Sequence, residues 1–185
     1  MWNLWQLAEK MINVLYEDNH VLCVEKPINI PVMEDDSHDM DLLTMCKEYL
    51  KEKYQKPGNV YCGLVHRLDR PVGGVMVFAK TSKAASRLSE SVRTNQLKKE
   101  YLAILDGIPT KQSDTLEDYL SKDTRTNTVS VTDAKHGKKC HLSYEVIGQK
   151  GRQSLVHIIL GTGRSHQIRV QFASRKLPLI HDQRY

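Results

Sequence analysis

The sequence of 185 residues lacks a long apolar run. Its longest apolar stretches, residues 74–79 and 155–160, are far shorter than the roughly 20 residues that a membrane-spanning helix requires. The first eleven residues lack a basic start followed by an uninterrupted apolar stretch, so they do not have the pattern of a secretory signal. We therefore expect no membrane span and a cytoplasmic location.

Cysteine is also scarce, and none of it is arranged as a Cys-x-x-Cys pair. This spacing argues against a zinc ribbon and against a dithiol redox motif, and reduced, mostly buried thiols are the expectation. The four residues are Cys23, Cys46, Cys62 and Cys140. Hydrophobic content of 40% with 26% charged residues is ordinary for one globular domain and argues against disorder.

Only the first third of the chain has a net negative charge. Residues 1–60 carry 6 basic and 11 acidic side chains, a net charge of −5, whereas residues 61–185 carry 21 and 11, a net charge of +10. A polyanion would bind to the basic part. Basic composition alone is weak evidence for nucleic-acid binding, because many basic proteins have lysine-rich surfaces in contact only with water.

The first half of the chain has the pattern of a hairpin followed by two helices and a buried strand. Apolar alternation over residues 14–24 predicts a β-hairpin that ends at Lys26-Pro27. Asp41 is positioned to cap a helix, and the acidic stretch 34–41 before it is expected to be a solvated loop. The apolar run 75–79 predicts a strand buried on both faces, and Thr81 or Ser82 can cap the next helix.

The second half predicts strands at residues 101–105, 140–146 and 155–160. Residues 110–128 have only weak periodicity, and Ser165 can cap a helix that carries Ile168 and Phe172. Hairpins and helices interleaved in this way indicate an α+β fold with a largely antiparallel sheet. The absence of an evident boundary predicts a single domain over residues 1–185.

Two segments place polar residues beside glycines at the end of an element, where side chains can converge on a cleft. They are residues 66–74, His-Arg-Leu-Asp-Arg-Pro-Val-Gly-Gly, and residues 161–169, Gly-Thr-Gly-Arg-Ser-His-Gln-Ile-Arg. Taken singly, Asp69 is typical of a turn residue whose side chain forms a hydrogen bond with the nearby backbone. Arg164 taken singly is typical of a solvated residue at the start of a helix.

Together, however, these segments resemble the two signatures of the RluA-type RNA pseudouridine synthase family. Residues 99–103, Lys-Glu-Tyr-Leu-Ala, are similar to that family's Lys-x-Tyr-x-Ala strand, and order and spacing agree over nearly the whole chain. The resemblance implies the pseudouridine synthase fold, with a mainly antiparallel mixed sheet and flanking helices. It also implies isomerisation of specific uridines in structured RNA, either rRNA or tRNA, without a metal or other cofactor.

By resemblance, Asp69 is the nucleophile, Arg164 is the cation that pairs with it, and Tyr101 is the platform stacked on the target uracil. An aspartate suits the chemistry, because a carboxylate can add covalently and later depart. Three roles stay open for it: attack on the ribose C1′, removal of the 2′ proton, and addition to uracil C6. A bidentate guanidinium would favour its ionised form.

The resemblance further implies that Arg67 fills the stack that a flipped nucleotide leaves. His66, His166 and Gln167 are expected to support the turn and the cleft. The full set of expected RNA-binding residues is Arg67, His66, Arg70, Lys83, Arg87, Lys99, His166, Gln167 and Arg169.

The chain departs from the family pattern in four places. Val72-Gly73-Gly74 stands where Thr-Ser-Gly is usual, and His181 stands where a small residue is expected. No S4-type RNA-binding domain precedes the catalytic part, and the family's strands beyond Tyr185 are absent. From this last difference we expect an exposed apolar patch beside residues 155–160 and 75–79.

Two alternatives follow from these departures and from the residues themselves. One is an RNA-binding or weakly active homologue that keeps the basic cleft. The other is a metal-dependent nuclease using Asp69, His66 and His166, for which the spacing supplies no further ligand.

Overall fold

The computed structural model describes residues 12–185 of the protein. These residues form two compact units that divide between Leu97 and Lys98. Each unit contains an antiparallel sheet and helical elements, which confirms the predicted α+β class. The prediction of a single domain over residues 1–185 stays a prediction.

The first unit is built on a four-stranded sheet in the order β1-β2-β4-β3. Its described elements are β1 (Asn13–Glu17), β2 (Val21–Lys26), α1 (Leu42–Lys53), β3 (Gly63–Leu64), β4 (Gly74–Ala79) and α2 (Ser82–Arg93). Strands β1 and β2 form the predicted hairpin. The predicted caps are also confirmed, because the side chains of Asp41 and Thr81 accept from the backbone amides of Thr44 and Ala84.

The core of the first unit lies between this sheet and α1. Strand β2 contributes Leu22 and Val24 at alternate positions, and α1 contributes Leu42 and Leu50. Strand β4 lies between β2 and β3 and buries Met76 and Phe78. The prediction that residues 75–79 are buried on both faces is wrong at its first position, because Val75 is 63% exposed.

The second unit is built on a five-stranded sheet in the order β5-β9-β8-β6-β7, packed against one helix. Its elements are β5 (Glu100–Asp106), β6 (Ser113–Asp123), β7 (Thr128–Thr132), β8 (Lys138–Lys150), β9 (Gln153–Leu160) and α3 (Gln167–Ala173). The core lies between the helix residue Phe172 and the inward-facing residues of the sheet. Strands β6 and β7 were not predicted, because β6 buries only Leu116 and Leu120 among its 11 residues.

One face of the second sheet carries apolar side chains that are exposed in this structure. Leu102 is 66% exposed, Ile104 47% and Ile159 47%, and all three point away from the helix-packed face. In the first unit, Val75 is exposed as well. No helix within residues 12–185 is long and apolar enough to cross a membrane.

Candidate active site

A four-residue turn in the first unit, the Asp69 turn (residues 69–72), presents the predicted nucleophile. The backbone amide of Val72 closes this turn by donating to the carbonyl of Asp69 at 3.0 Å. Soon after it, Gly74 adopts a φ of +145°, a conformation that residues with a side chain rarely adopt. The chain therefore reverses sharply just as β4 begins, and Asp69 is half-buried at this reversal.

The buried Lys26 at the end of β2 fixes the Asp69 turn through its main chain. The Lys26 ammonium donates to the carbonyl oxygens of Pro27 at 3.0 Å, Arg70 at 2.9 Å and Val72 at 2.7 Å. An ammonium group has three donors, and all three are used here. Two of the acceptors belong to the turn, so the lysine determines where the turn lies.

Lys26 also places a positive charge near Asp69. Burial lowers the pKa of Lys26 to about 8, the negative charge of Asp69 acts in the opposite direction, and the charge of Arg70 adds to the lowering. Sequence analysis missed this residue and treated Lys26-Pro27 only as the end of a hairpin. Its position in the sequence could have identified it, because Lys26 follows Leu22 and Val24 at alternate positions of β2 and therefore faces inward as they do.

Arg70 anchors the Asp69 turn from its side chain. Its guanidinium donates to the carbonyl of Asn29 at 3.1 Å and to Ser37 Oγ at 2.9 Å. It also forms an ion pair with Asp39 and lies 3.6 Å from Asp35 Oδ2. Residues 34–40 of the acidic stretch are exposed, as predicted, whereas Asp41 is buried, and the stretch is also attached to the turn by these contacts.

His66 and Arg67 precede the turn and differ in their surroundings. His66 is half-buried, and its Nε2 accepts from the backbone amide of Val77 in β4 at 3.1 Å. The imidazole thus accepts a hydrogen bond from β4 beyond the end of β3, where no strand within residues 12–185 supplies a carbonyl for this amide. This contact fits the predicted role of His66 in supporting the turn. Arg67 is exposed, with Nη1 3.9 Å from Met33 Sδ, so its long side chain is accessible to a ligand.

The helix α2 presents two of the predicted RNA-binding residues to solvent. Lys83 and Arg87 are exposed, whereas Ala84 is the buried residue of this helix. Such a distribution is typical of an amphipathic helix. The exposed basic side chains also form the surface at which the charge of this region predicts polyanion binding.

In the second unit, Tyr101 lies on the inner face of β5, half-buried against the core cluster that contains Phe172. Strand pairing places it opposite Ile158 of β9. Lys99 precedes the strand, and burial lowers the pKa of its ammonium. A Cβ added to Gly163 would lie 3.8 Å from Lys99 Nζ, so this lysine is next to the second signature segment.

The second signature forms a loop, the Gly161 loop (residues 161–166), that follows β9. Gly161 packs so closely on the His141 ring that an added Cβ would lie 2.0 Å from its Nε2, so a side chain there would require the ring to move. The loop ends at His166, which adopts φ of +50° and is the residue before α3. The prediction that Ser165 caps this helix is therefore wrong.

Gln167, the first residue of α3, supports the Gly161 loop from inside. Its Oε1 accepts from the Thr162 hydroxyl at 2.8 Å and the Arg164 amide at 3.1 Å. Its Nε2 donates to the His141 carbonyl and to Gln171 Oε1, both at 3.0 Å. Gln167 is only 2% exposed, so it fits the predicted supporting role and offers no accessible surface for the predicted RNA contact.

This hydrogen-bonded chain continues through the helix to the sheet. Gln171, which is fully buried, donates to Asp118 Oδ2 at 2.8 Å, and Asp118 also accepts from Arg175. Sequence analysis did not single out Gln171 or Asp118. A glutamine at an inward-facing position of α3, four residues after another, was the available signal.

The two arginines of the second signature have different environments. Arg164 is exposed, and its Nε donates to the Lys139 carbonyl at 3.2 Å. Arg169 is half-buried and forms a bidentate pair with Asp182, with Nε and Nη2 at 2.6 and 2.7 Å from the carboxylate oxygens. Burial raises the pKa of Asp182, but the bonds from Arg169 and from backbone amides hold it below its usual value.

Tyr185 joins Arg169 and His166 in one cluster. The Arg169 guanidinium lies 5.1 Å from the centre of the Tyr185 ring, and the Tyr185 hydroxyl is 2.6 Å from His166 Nδ1. The same hydroxyl accepts from the Val129 amide at 2.9 Å. Both predicted RNA-binding residues are therefore fixed in place by neighbouring side chains.

The structure thus gathers the predicted residues into two groups, one in each unit. Asp69 has Lys26 and Arg70 as neighbours in the first unit. The predicted partners Arg164 and Tyr101 belong to the second unit, so the pairing of Asp69 with Arg164 stays a prediction. Within residues 12–185, no three His, Cys, Asp or Glu side chains are grouped as metal ligands would be.

Comparison with known families gives a single answer. A family model described as RNA pseudouridylate synthase matches residues 20–174. The ribosomal large subunit pseudouridine synthase C of Buchnera aphidicola subsp. Acyrthosiphon pisum is 32% identical over 93% of this chain. The human pseudouridylate synthase RPUSD2 is 33% identical over 94% of it. The chain spans 53% of the length of the bacterial relative and 31% of the human one.

Solved structures agree on the fold. Human RNA pseudouridylate synthase domain containing 4 superposes with a TM-score of 0.83 at 22% identity, over 98% of this chain and 72% of that one. Human RNA pseudouridylate synthase domain containing 1 superposes with a TM-score of 0.77 over 94% of this chain.

Proposed function

Because the chain belongs to the RNA pseudouridylate synthase family, we propose that it converts uridine to pseudouridine in structured RNA, with Asp69 as the nucleophile. The observation that carries the proposal is the Asp69 turn, because a buried ammonium fixes its carbonyls and places a positive charge near the carboxylate. A carboxylate held in a defined place beside a cation is what a nucleophile in a partly dry site requires.

The proposed reaction is an internal rearrangement of the nucleotide. The bond between ribose C1′ and uracil N1 breaks, the base rotates, and a bond between C1′ and C5 forms. The proton on C5 is lost and N1 acquires one, so atoms and charge balance without an oxidant or a reductant. We therefore propose that no metal, nucleotide or other cofactor takes part. Attack on C1′, removal of the 2′ proton and addition to C6 all remain compatible roles for Asp69.

A guanidinium from the second unit is proposed to pair with Asp69 during the reaction. Arg164 is the residue that the family resemblance assigned. A second candidate is Arg169, which the Asp182 carboxylate holds in a bidentate pair with its side chain only 16% exposed. A cation held in this way loses little side-chain entropy when it acts.

The two arginines can be distinguished by one pair of variants. Arg164→Gln and Arg169→Gln are compared for single-turnover rate and for RNA affinity. The residue that pairs with Asp69 should lose rate by roughly 100-fold, as expected for removal of a charge-assisted bond at a reacting group. The other residue should change mainly affinity.

Two further side chains are assigned to the target nucleotide. Tyr101 is proposed to stack on the uracil and to assist loss of the C5 proton, and its side chain packs against the core on the inner face of β5. Arg67 is proposed to fill the space left in the RNA stack when the nucleotide is extruded, and its exposed side chain supports this role. The exposed Lys83 and Arg87 are proposed to contact RNA phosphates.

The proposed substrate class is ribosomal RNA. The bacterial relatives that match this chain are named for the large ribosomal subunit, and that name motivates testing its RNA first. Transfer RNA is the second substrate to test, because RNA of this kind is recognised by shape and by unpaired loops rather than by a readable base code.

The experiment that tests the proposal is a map of pseudouridines in total RNA from cells with and without this gene. Loss of one or a few defined sites, restored by the wild-type gene and not by Asp69→Asn, is the expected result. An unchanged map would contradict the proposal and would favour the alternative of an RNA-binding or weakly active homologue. Cleavage of RNA that is sensitive to a chelator would instead support the metal-dependent nuclease.

A further inference from the structure

The guanidinium of Arg70 has four contacts within the first unit, and none of them resembles an RNA site. They are the Asn29 carbonyl, Ser37 Oγ, Asp39 and Asp35. Two carboxylates against one guanidinium give this surface a local charge of −1, which would repel a phosphate rather than attract it. Arg70 therefore differs from Lys83 and Arg87, which are exposed on a helix face.

The loop that holds Arg70 is itself attached to the core. This acidic loop (residues 34–41) begins after the buried Val32 and ends at Asp41, the cap of α1. The amides of Leu42 and Leu43 donate to the carbonyls of Pro31 and Val32 at 2.9 and 3.0 Å, so the two ends of the loop are joined. Because the loop is anchored at both ends, it is a fixed point to which a neighbouring segment can be attached.

Inside the loop, Asp35 and Ser37 organise the chain. The backbone amide of Ser37 donates to Asp35 Oδ1 at 3.0 Å, and the amide of Asp39 donates to Ser37 Oγ at 3.2 Å. The amide of His38 donates to the Asp35 carbonyl at 3.2 Å. These bonds turn three acceptors toward the same guanidinium, so Arg70 contacts a preformed group of oxygen atoms.

The residue after Asp69 is consequently held at two places. Its carbonyl accepts from the buried Lys26, and its guanidinium is bound to the acidic loop. Exposed ion pairs typically contribute less than about 1 kcal/mol to the free energy of unfolding. The contact between Arg70 and the acidic loop therefore adds little to overall stability. Geometry at a reacting group is more demanding, because a displacement of about 1 Å can cost roughly 100-fold in rate.

We propose that Arg70 is a positioning residue, which attaches the Asp69 turn to the acidic loop through Asp39, Ser37 and Asp35 and thereby sets the place of the Asp69 carboxylate. This inference rests on the proposed function of Asp69, and it replaces the expectation that Arg70 binds RNA. The acidic loop is then part of the catalytic framework.

The test is a double-mutant cycle on Arg70 and Asp39. Arg70→Gln and Asp39→Asn should each lower kcat by roughly 10-fold and change KM by less than about 2-fold, and the double variant should be no worse than the poorer single variant. Arg70→Lys should recover part of the loss, because an ammonium can still reach one carboxylate. A phosphate contact would give the opposite result, with a higher KM for Arg70→Gln and no loss for Asp39→Asn.

Salt dependence provides the second readout. The slope of log affinity against log salt should be the same for wild type and Arg70→Gln, whereas removal of a phosphate contact should reduce it by about 0.7 to 0.9. Lys111→Gln is the control, because Lys111 pairs with Asp114 outside α2 and outside both signature segments, and it should leave kcat, KM and slope unchanged. A reduced slope for Arg70→Gln would overturn the inference.

A third measurement does not depend on catalysis. The amide of Val72, which closes the Asp69 turn, should exchange with solvent faster in Arg70→Gln and in Asp39→Asn than in wild type or Lys111→Gln. Unchanged exchange in both variants would overturn the inference. If wild type and Asp69→Asn form equal amounts of pseudouridine, or neither forms any, the proposed function fails, and the positioning role fails with it.

Discussion

The two signature segments of this protein are supported in chemically opposite ways. The Asp69 turn is held by ions, namely the buried ammonium of Lys26 and the guanidinium of Arg70. The Gly161 loop is held by the neutral amides of Gln167 and Gln171. Both arrangements satisfy the polar groups involved, since no buried side-chain nitrogen or oxygen within residues 12–185 lacks a partner.

The difference has a functional reason. An ionic support contributes an electric field at the group it holds, and that field falls off slowly in a partly dry site. An amide support fixes geometry and leaves the local charge unchanged. A nucleophilic carboxylate benefits from the first kind of support, whereas a loop that presents cations such as Arg164 would be opposed by further positive charge.

The largest effect is expected at Lys26. Replacing it by Met keeps most of the length of the side chain but leaves the carbonyls of Pro27, Arg70 and Val72 without their donor. The change should cost about 2–4 kcal/mol of unfolding free energy and lower kcat by roughly 100-fold. Chemical denaturation and single-turnover kinetics measure the two effects. A variant with wild-type rate would show that the ionic support is unnecessary.

The pH dependence provides a control for that variant. The pKa of Lys26 is about 8 in the folded protein and near 10.5 when unfolded, so the group loses its charge as pH rises through 8. Activity of the wild type should decline above pH 8, and Lys26→Met should lack this decline. Stability moves the other way, because the unfolded state binds more protons between pH 8 and 10.5, which favours folding as pH rises.

A second ionic group in the first unit predicts acid sensitivity away from the Asp69 turn. Burial raises the pKa of Glu17, but hydrogen bonds from Lys53, Lys80, Tyr54 and Tyr49 lower it overall to about 2 from 4.5. The stabilisation is therefore present above pH 4.5 and is lost as pH falls toward 2. It amounts to about 3 kcal/mol at neutral pH.

Unfolding free energy of wild type and Glu17→Gln, measured from pH 7 to pH 2, tests this value. The difference between the two proteins should shrink by about 3 kcal/mol over that range. Other carboxylates with lowered pKa, such as Asp182, are common to both proteins and cancel in the difference. A gap that is independent of pH would show that Glu17 is not held as an ion.

The amide support should give a smaller effect that does not depend on pH. Gln167→Leu keeps the volume of the side chain but removes the acceptor for Thr162 and Arg164 and the donor for His141. We expect a loss of about 1–3 kcal/mol in unfolding free energy, equal at pH 6 and pH 9. A loss that varied strongly between these pH values would contradict the assignment of a neutral support.

The smallest effect is expected on the exposed helix face. Lys83→Gln and Arg87→Gln should each weaken RNA binding similarly for all RNAs and reduce the salt slope by about 0.7 to 0.9. Filter binding between 50 and 200 mM salt, a range of about one-half decade, resolves such a change. Affinity that does not respond to salt would show that this face is not in contact with phosphates.

Sequence patterns predicted the parts of the fold that local rules determine. The caps Asp41 and Thr81 and the strand 155–160 were recognisable because their signals lie within a few residues. Strand β6 was missed, since a partly exposed strand with two buried residues has little periodicity. The cap of α3 was predicted at Ser165 instead of His166, because no sequence pattern indicated that His166 adopts a left-handed conformation.

Sequence patterns identified candidate residues within the two motifs but missed the contacts that support the motifs from outside. Asp69 and Gln167 stand in segments that resemble a known family, and that resemblance identified them. Lys26 and the contact between Arg70 and Asp39 were missed, because they join residues 44 and 31 positions apart, in pairings that depend on tertiary structure. A lysine on the inward face of a strand was the signal that deserved more weight.

The central claim is that Asp69 acts as a nucleophile on uridine, and one measurement tests it most directly. RNA carrying tritium at uracil C5 releases the label when pseudouridine forms, so release by wild type and by Asp69→Asn is compared at equal RNA occupancy. Asparagine preserves the shape of the side chain and removes the ionisable oxygen. We predict release by the wild type and none above background by the variant, with RNA affinity retained. Equal release by the two proteins would contradict the claim.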